Sequence, residues 1–486
     1  MTTELCRRVL SQVAAFTTKA RIPCYLVGGF LRDQLLAPGH LPSNVDLAIP
    51  ARTLEVAQDL AKALKGTYIC LDETQGSARI VVSSGPDRVE LDLSDFRGPT
   101  LEEDLARRDF TINALALPLE TWCTDPRWTD KLLDPLSGRT DLAKKVMRAC
   151  FPNTFVEDPV RILRTFRFAA SLGFSLDSAI PPLIAASAAS LKQVTGERIR
   201  DELMVIFQTD HAHEAMTQLN ALGVLDVLFP ELVPGRDVAQ GGYHHLDVLD
   251  HQLEAVAQCD RLMADFAELV PELHAPLAAY CQVPVVEGRS RKALIKLATL
   301  FHDVGKPATR RVAPDGEIWF LGHEQFGAEL VESVTERLRL SNREAEMIYH
   351  LVLYHLRPGH LSREVQLTRR AIFRFFRDLG EDGPACLILW WADRMATRGP
   401  SSHLDQIDQQ RARLEELFHA YFFQAEEVIK PPKLLDGRTL MAALSLSPGP
   451  TVGTLLRAIE EAQAEGRVHT SEEALLLARD LLQHER

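Results

Sequence analysis

Strand-forming runs are confined to one stretch of the chain, and that confinement limits the fold more than any other feature. Between Tyr25 and about Leu119 the runs YLVGG, VDLAIP, ARIVVSS and RVELDLS alternate with helical patterns. Such runs, rich in β-branched residues and bounded by turn formers, read as strands. From about Gly138 onward the apolar residues recur almost wholly at helical spacing. The expected class is α+β: a small mixed α/β head, then a mostly helical body. A chain of 486 residues exceeds what one core organises. Four segments are expected: a head at 1–137, a helical neck and body at 138–235, a His-rich helical domain at 236–400 and a helical tail at 401–486.

PGRDVAQGGYHH, rich in turn residues, reads as the linker into the His-rich segment. In the tail, SLSPGPTVG interrupts the helical pattern just before TLLRAIEEAQ. It is either the turn of a helix-turn-helix or a helix start whose amides face a phosphate.

The eight cysteines form no CxxC pair, which argues against a zinc ribbon or disulfide framework and fits a reducing cytosol. The first residues space Leu5, Val9, Val13 and Phe16 as on a surface helix, unlike the continuous apolar run of a signal peptide. The longest apolar run, CLILWW from Cys386 to Trp391, is far short of the ~20 residues that span a bilayer, so no membrane partner is expected. A net charge of −13 excludes a generally basic surface. Between Arg139 and Arg200, however, ten basic residues face five acidic ones, and a nucleic acid could be gripped there.

In the head, LVGGFLRD puts Gly28 and Gly29 after an apolar run, with Arg32 and Asp33 opening a helix. The pair is either a plain strand-to-helix turn or a place where backbone amides and Arg32 approach a triphosphate. In SNVDLA, Asn44 and Asp46 are two apart, as on one face of a strand, and Asp92 of VELDLSDFRG lies on another expected strand. Transfer of a phosphoryl-type group to a hydroxyl commonly uses two Mg2+ ions held by carboxylates on such a face. Only Asp46 of the SNVDLA pair is a carboxylate, so the segment is either an incomplete metal site or a turn entering a strand.

LVGGFLRD, NVDLA, LEEDLARRDFTINALAL, EDPVRILRTFRFAASLGF and GERIRDELM, in this order, resemble the bacterial class of tRNA nucleotidyltransferases and poly(A) polymerases. The resemblance implies that Asn44 and Asp46 sit where the family has its paired Mg2+ aspartates, with Asp92 the third candidate ligand, and that Gly29, next to Gly28, and Arg32 contact the triphosphate. It implies that Arg108 contacts the nucleotide and that Asp109 and Asn113 support the sugar pocket. Its EDxxR segment, here Glu157, Asp158 and Arg161, implies a protein template for the base, with Arg164 and Arg167 extending toward the triphosphate. From the residues alone, Asp158 and Pro159 could instead simply start the helix that Gly173 ends, the arginines forming its solvated flank. tRNA and CTP, with ATP for a full CCA product, are the implied partners.

Many CCA-completing members carry a flexible loop before LEEDL; here only Gly98, Pro99 and Thr100 separate Phe96-Arg97 from Leu101. Members without that loop add CC, so C addition is expected, a separate enzyme supplying A. Full CCA addition, poly(A) synthesis, or an RNA-binding phosphohydrolase with an impaired head are the alternatives.

In the third segment, LATLFHDVGKP places His302 beside Asp303, with His251, His323, His355 and Asp393 in other helical patterns. The set resembles the HD superfamily of metal-dependent phosphohydrolases. That implies a first metal on His251, His302, Asp303 and Asp393, and a second reached by His323 and His355. His-rich ligation suits Ni2+, Mn2+ or Fe2+ better than Mg2+. Buried core histidines are the alternative, and His244 and His245 are either linker residues or further ligands.

Overall fold

The computed structural model describes residues 2–39, 41–364, 366–399 and 406–484. The step between 400 and 401, where the tail is expected to begin, lies outside them. The chain packs as two compact units, one of Met1–Val194 with Leu222–Val224, the other of Thr195–Ala221 with Leu225–Arg486.

The first unit opens with helix α1 (Thr2–Ala20), which buries Leu5, Val9 and Val13. Strand β1 (Tyr25–Val27), helix α2 (Gly29–Leu36), strand β2 (Asn44–Ile49) and helix α3 (Thr53–Leu64) follow. Then come β3 (Thr67–Asp72), β4 (Ser77–Ser84), β5 (Asp87–Asp95), helix α4 (Leu101–Ala106) and β6 (Ala116–Pro118). The strands form one mixed sheet in the order β3-β4-β5-β2-β1-β6. Only β2 and β5 pair in parallel; the other neighbours are antiparallel. Strand β2 alternates as the sequence reading requires: Val45 and Leu47 are fully buried, whereas Asn44 is exposed and Asp46 half-buried.

Beyond the head, the helix Arg161–Leu172 ends at Gly173 in the left-handed conformation, as its glycine suggests. It starts two residues later than the sequence pattern indicates, at Arg161 and not Pro159. Asp158 accepts the Arg161 N–H through its backbone carbonyl and caps the C-terminal end of a short preceding helical turn, Thr154–Glu157. Arg161 is buried, so the arginines are not a solvated flank.

The second unit is helical apart from two short antiparallel pairs that the sequence pattern did not signal, Pro284–Val286 with Arg289–Ser290 and Arg311–Val312 with Ile318–Trp319. Helices Val248–Ala264, Arg291–Phe301, His323–Arg337, Asn342–Tyr354 and Gly383–Ala396 surround a common core in which Phe301, Leu351 and Leu387 are buried. At the end of the chain, helices Gly437–Leu444, Pro450–Ala464 and Ser471–His484 share a core of Leu440, Leu455, Ile459 and Ala474. The interrupting segment of the tail is therefore the bend between two helices, with Pro450 already opening the second. Among the described residues, no helix is long and apolar enough to cross a membrane.

Candidate active site and metal centre

Gly28 sits between β1 and α2 with φ +69°, and a Cβ on it would lie 2.7 Å from Asp46 Oδ2. Both the backbone angle and the space therefore require glycine. The close passage lets the Gly29 N–H donate to Asp46. Gly28→Ala should displace Asp46 and lower nucleotide incorporation by roughly 10²-fold, as small misplacements at reacting centres do. Incorporation of labelled CTP measures this; an unaltered rate would show that the contact is dispensable.

Across the sheet, Asp46 of β2 lies opposite Asp92 of β5, and Arg79 of β4 lies opposite Asp92 on its other side. Arg79 donates Nε and Nη2 to the two Asp92 oxygens at 2.7 and 2.8 Å, and its Nη1 lies 2.9 Å from Glu90. The Asn44 amide donates to Asp92 Oδ2 at 3.4 Å. Burial raises the Asp46 carboxyl above its ordinary value; Arg108 opposes this and Asp92 adds to it. Asp46 forms no ion pair among the described residues, so it is the open carboxylate of this row. The oxygen donors of Asp46, Asp92 and Asn44 are the hard type that Mg2+ prefers, with less negative charge than three carboxylates would bring.

The facing wall is one chain of hydrogen bonds. Arg32 Nη1 donates to Asn113 Oδ1 at 2.8 Å, Asn113 Nδ2 to Asp109 Oδ1 at 3.1 Å, and Arg164 Nη1 to Asp109 Oδ2 at 3.2 Å. The guanidiniums of Arg32 and Arg167 lie 4.7 and 4.2 Å from the ring centroid of Phe168. Arg108 pairs with the fully buried Asp104 at 2.8 Å. Arg161 Nη1 donates to Thr154 Oγ1 at 2.8 Å, while its buried Nε has no hydrogen-bond partner among the described residues.

Burial would raise the Asp109 carboxyl, but Arg164, Asn113 and the Phe110 N–H outweigh it and hold the group below its ordinary value. A depressed folded value means stability that is present above the unfolded value and lost as pH falls through the folded one. Asp109→Asn should therefore destabilise the protein at pH 7, with the difference from wild type shrinking below about pH 4. Urea midpoints at the two pH values test it, and a pH-independent difference would contradict it.

A cavity of about 610 Å3 brings together Gly28, Gly29, Arg32, Asn44, Asp46, Asp92, Arg108, Asp109, Asn113, Asp158, Arg161, Arg164 and Arg167. Of the head and neck residues singled out from sequence, Glu157 alone is not on its lining; its side chain is exposed. Sequence reasoning missed Arg79 and Phe168. Arg79 left one signal, an isolated cation in the otherwise apolar strand ARIVVSS.

In the second unit, His251, His302, Asp303 and Asp393 place one ligand atom each within 4.8 Å of one another, and Asp303, His323 and His355 form a second such group. Asp303 belongs to both. The ring nitrogens Nδ1 of His302, His323 and His355 bond backbone carbonyls of Thr299, Phe320 and Val352 at 2.8, 2.7 and 2.7 Å. This leaves each Nε2 facing the centre, the arrangement that second-shell bonds impose on metal-ligating histidines. His302 Nε2 is buried without a hydrogen-bond partner, 3.2 Å from Asp303 Oδ2. Nε2 atoms of His323 and His355 face each other at 3.3 Å. The unpartnered His302 Nε2, and the convergence of the His323 and His355 Nε2 atoms on Asp303, fit cations at the two groups and disfavour the reading of plain core histidines.

Burial acts to raise Asp303 and Asp393, but the neighbouring histidines, with Lys306 on Asp303, hold both far below the ordinary range. Lys306 Nζ lies 2.6 Å from Asp303 Oδ2 and 2.7 Å from Gln240 Oε1, contacts the sequence did not signal. His244 is no simple linker residue, since its ring packs edge-on against His251 with centroids 4.5 Å apart; His245 is exposed.

Residues 24–148 match the Poly A polymerase head domain family, 173–235 the probable RNA- and SrmB-binding site of polymerase A, and 248–397 the HD domain. The A-adding tRNA nucleotidyltransferase of Deinococcus radiodurans is 36% identical over 462 residues, covering 92% of this chain and 93% of that protein. The chain belongs to the tRNA nucleotidyltransferase family. The CC-adding tRNA nucleotidyltransferase of Thermus thermophilus is 34% identical over 472 residues, covering 94% and 93% of the two chains. A solved CCA-adding enzyme in an apo form has a TM-score of 0.64 with 19% identity, covering 98% of this nucleotidyltransferase and 93% of its own chain. At that identity the likeness shows the fold alone.

Proposed function

We propose that this nucleotidyltransferase adds C residues to the 3′ end of tRNA from CTP and leaves the terminal A to a separate A-adding enzyme. The observation that carries this reading is the tight connection between β5 and α4. After Asp95 only Phe96 to Pro99 precede Thr100, whose hydroxyl already caps α4 by accepting the Glu103 N–H at 3.2 Å. In this family many CCA-completing enzymes carry a flexible loop there, and relatives with the loop deleted add CC. The 36% identity to an A-adding enzyme supports a second reading, A addition. Stub substrates separate the two. A tRNA lacking CCA should gain C from CTP alone, and a tRNA ending in CC should gain nothing from ATP; labelled A on the second stub contradicts C addition.

In the reaction, the tRNA 3′-hydroxyl attacks the α-phosphorus of CTP. The new P–O bond forms as the α–β bridging bond breaks, and pyrophosphate leaves. Arg32, Arg164 and Arg167 would hold the triphosphate, and Asp109 and Asn113 the sugar. Asp158 and the spare Nε donor of Arg161 would read the cytosine edge, because a wrong base leaves such groups unpaired. Asp46 and Asp92, with the Asn44 amide, would hold Mg2+, which when bound offsets charge on the transferring phosphate. Because Asn44 supplies no charge, Asn44→Asp should speed CTP incorporation; no gain would mean that the second carboxylate is not needed.

The HD centre is read as a phosphohydrolase acting on phosphate or cyclic-phosphate ends, with Ni2+, Mn2+ or Fe2+ on its two ligand groups. The domain division at 137, 235 and 400 belongs to the same proposal.

A further inference from the structure

The outer strands of the head sheet have one covered face and one open face. On β4 and β5, Ala78, Ile80, Val89 and Leu91 are buried, whereas the alternate residues Arg79, Glu90 and Asp92 are part-exposed. Register carries the open face outward from the carboxylates: Asp46 lies opposite Asp92, Asp92 opposite Arg79, and Arg79 opposite Ile69 of the edge strand β3. Ile69 is 41% exposed and Leu71 is 49% exposed. The β3–β4 ladder shifts register between Cys70 and Asp72, so Leu71 is the extra residue of a bulge, a device that re-aims a side chain. Leu71 lines the same cavity as Asp46 and Asp92. An exposed leucine thus stands on the rim of the candidate active site, on a strand about 10 Å, two strand spacings, from β5.

The strand order β3-β4-β5-β2-β1-β6 decides what this rim faces. Arg32, on the helix after β1, and Asn113, just before β6, stand on one side of the Asp46–Asp92 pair, and Leu71 stands on the other. In an in-line displacement the attacking and leaving oxygens occupy opposite sides of the phosphorus. With the triphosphate and its departing pyrophosphate at the Arg32 wall, the attacking 3′-hydroxyl enters from the β3 side. The lining that β3 and β4 give the cavity, Leu71 and Ser77, carries no charge. Such a surface suits the face of a base or sugar and not a phosphate. A nucleoside resting there can extend its hydroxyl toward the carboxylates.

We propose that Leu71, with Ile69 beside it, is the platform for the 3′-terminal nucleoside of the RNA being extended. This deepens the proposed C addition and rests on it. The probe is a tRNA lacking CCA whose 3′-terminal nucleoside is 4-thiouridine, irradiated with the full-length protein in the absence of CTP. Mass spectrometry of the crosslinked peptides should place the link within residues 67–77. In steady state, Leu71→Ser should raise KM for the tRNA about tenfold, the loss of one half-buried apolar contact, and leave KM for CTP within about twofold of wild type. The side chain is half exposed, so the substitution spares the fold, and Leu71→Met should restore the tRNA constant. Crosslinks elsewhere or none, an unchanged KM for tRNA in Leu71→Ser, or two KM values that rise together would each overturn the proposal. CTP incorporation by the wild-type protein is scored separately: incorporation with crosslinks elsewhere removes the platform but keeps the transferase reading, and crosslinks at Leu71 without incorporation do the reverse.

Discussion

Asp46→Ala should lower the turnover of CTP incorporation by on the order of 10³-fold or more, with little change in nucleotide binding. The expectation follows from how charge is distributed across the sheet. Asn44 contributes an amide where a second β2 carboxylate would strengthen the site, and Asp92 is clamped by Nε and Nη2 of Arg79. Removing Asp46 leaves on that face only Asp92 and Glu90, both neutralised by Arg79. Binding should persist because Arg32, Asn113, Asp109 and Arg164 form a separate hydrogen-bonded wall. Single-turnover incorporation and CTP titration measure the two quantities independently. A variant within tenfold of wild type would mean that Asp46 is not where the chemistry happens.

Lys296→Met should destabilise the second unit by about 3–5 kcal/mol, the usual cost of breaking one side of a buried ion pair. Lys296 is fully buried, with Nζ 2.6 Å from Asp260 and 2.5 Å from the Thr209 carbonyl. Asp260 is itself buried and accepts the His213 N–H at 2.8 Å. Methionine matches the length of lysine but leaves the Asp260 charge uncompensated in a low-dielectric core. The double variant Lys296→Met/Asp260→Leu removes both charges and should regain much of the loss, as apolar replacements of buried pairs do. Denaturant unfolding of the three proteins gives the comparison. A single variant costing less than about 1 kcal/mol would place the pair among weak surface-like bridges.

The architecture was legible because its two signals do not overlap: period-two runs such as VDLAI stop near residue 119, and helical spacing takes over. The cavity residues were legible because the family motifs carry them in order. What stayed hidden depends on register and long-range packing. The Arg79 clamp exists only because β4 is in register with β5, which no local pattern in ARIVVSS specifies. Asp158 looked like a helix cap, yet the preceding turn Thr154–Glu157 delays the helix to Arg161 and buries that guanidinium. His244 lay in what read as a linker, and only the return of that segment onto the helix Val248–Ala264 brings it against His251.

The central claim is tested most directly by the product made from a tRNA lacking CCA. The substrate is incubated with Mg2+ and all four nucleoside triphosphates, and the length and terminal base of the extended RNA are read. The account predicts extension by two C residues and no A. A product ending in CCA, a single added A, a long A tail or no extension would each contradict it.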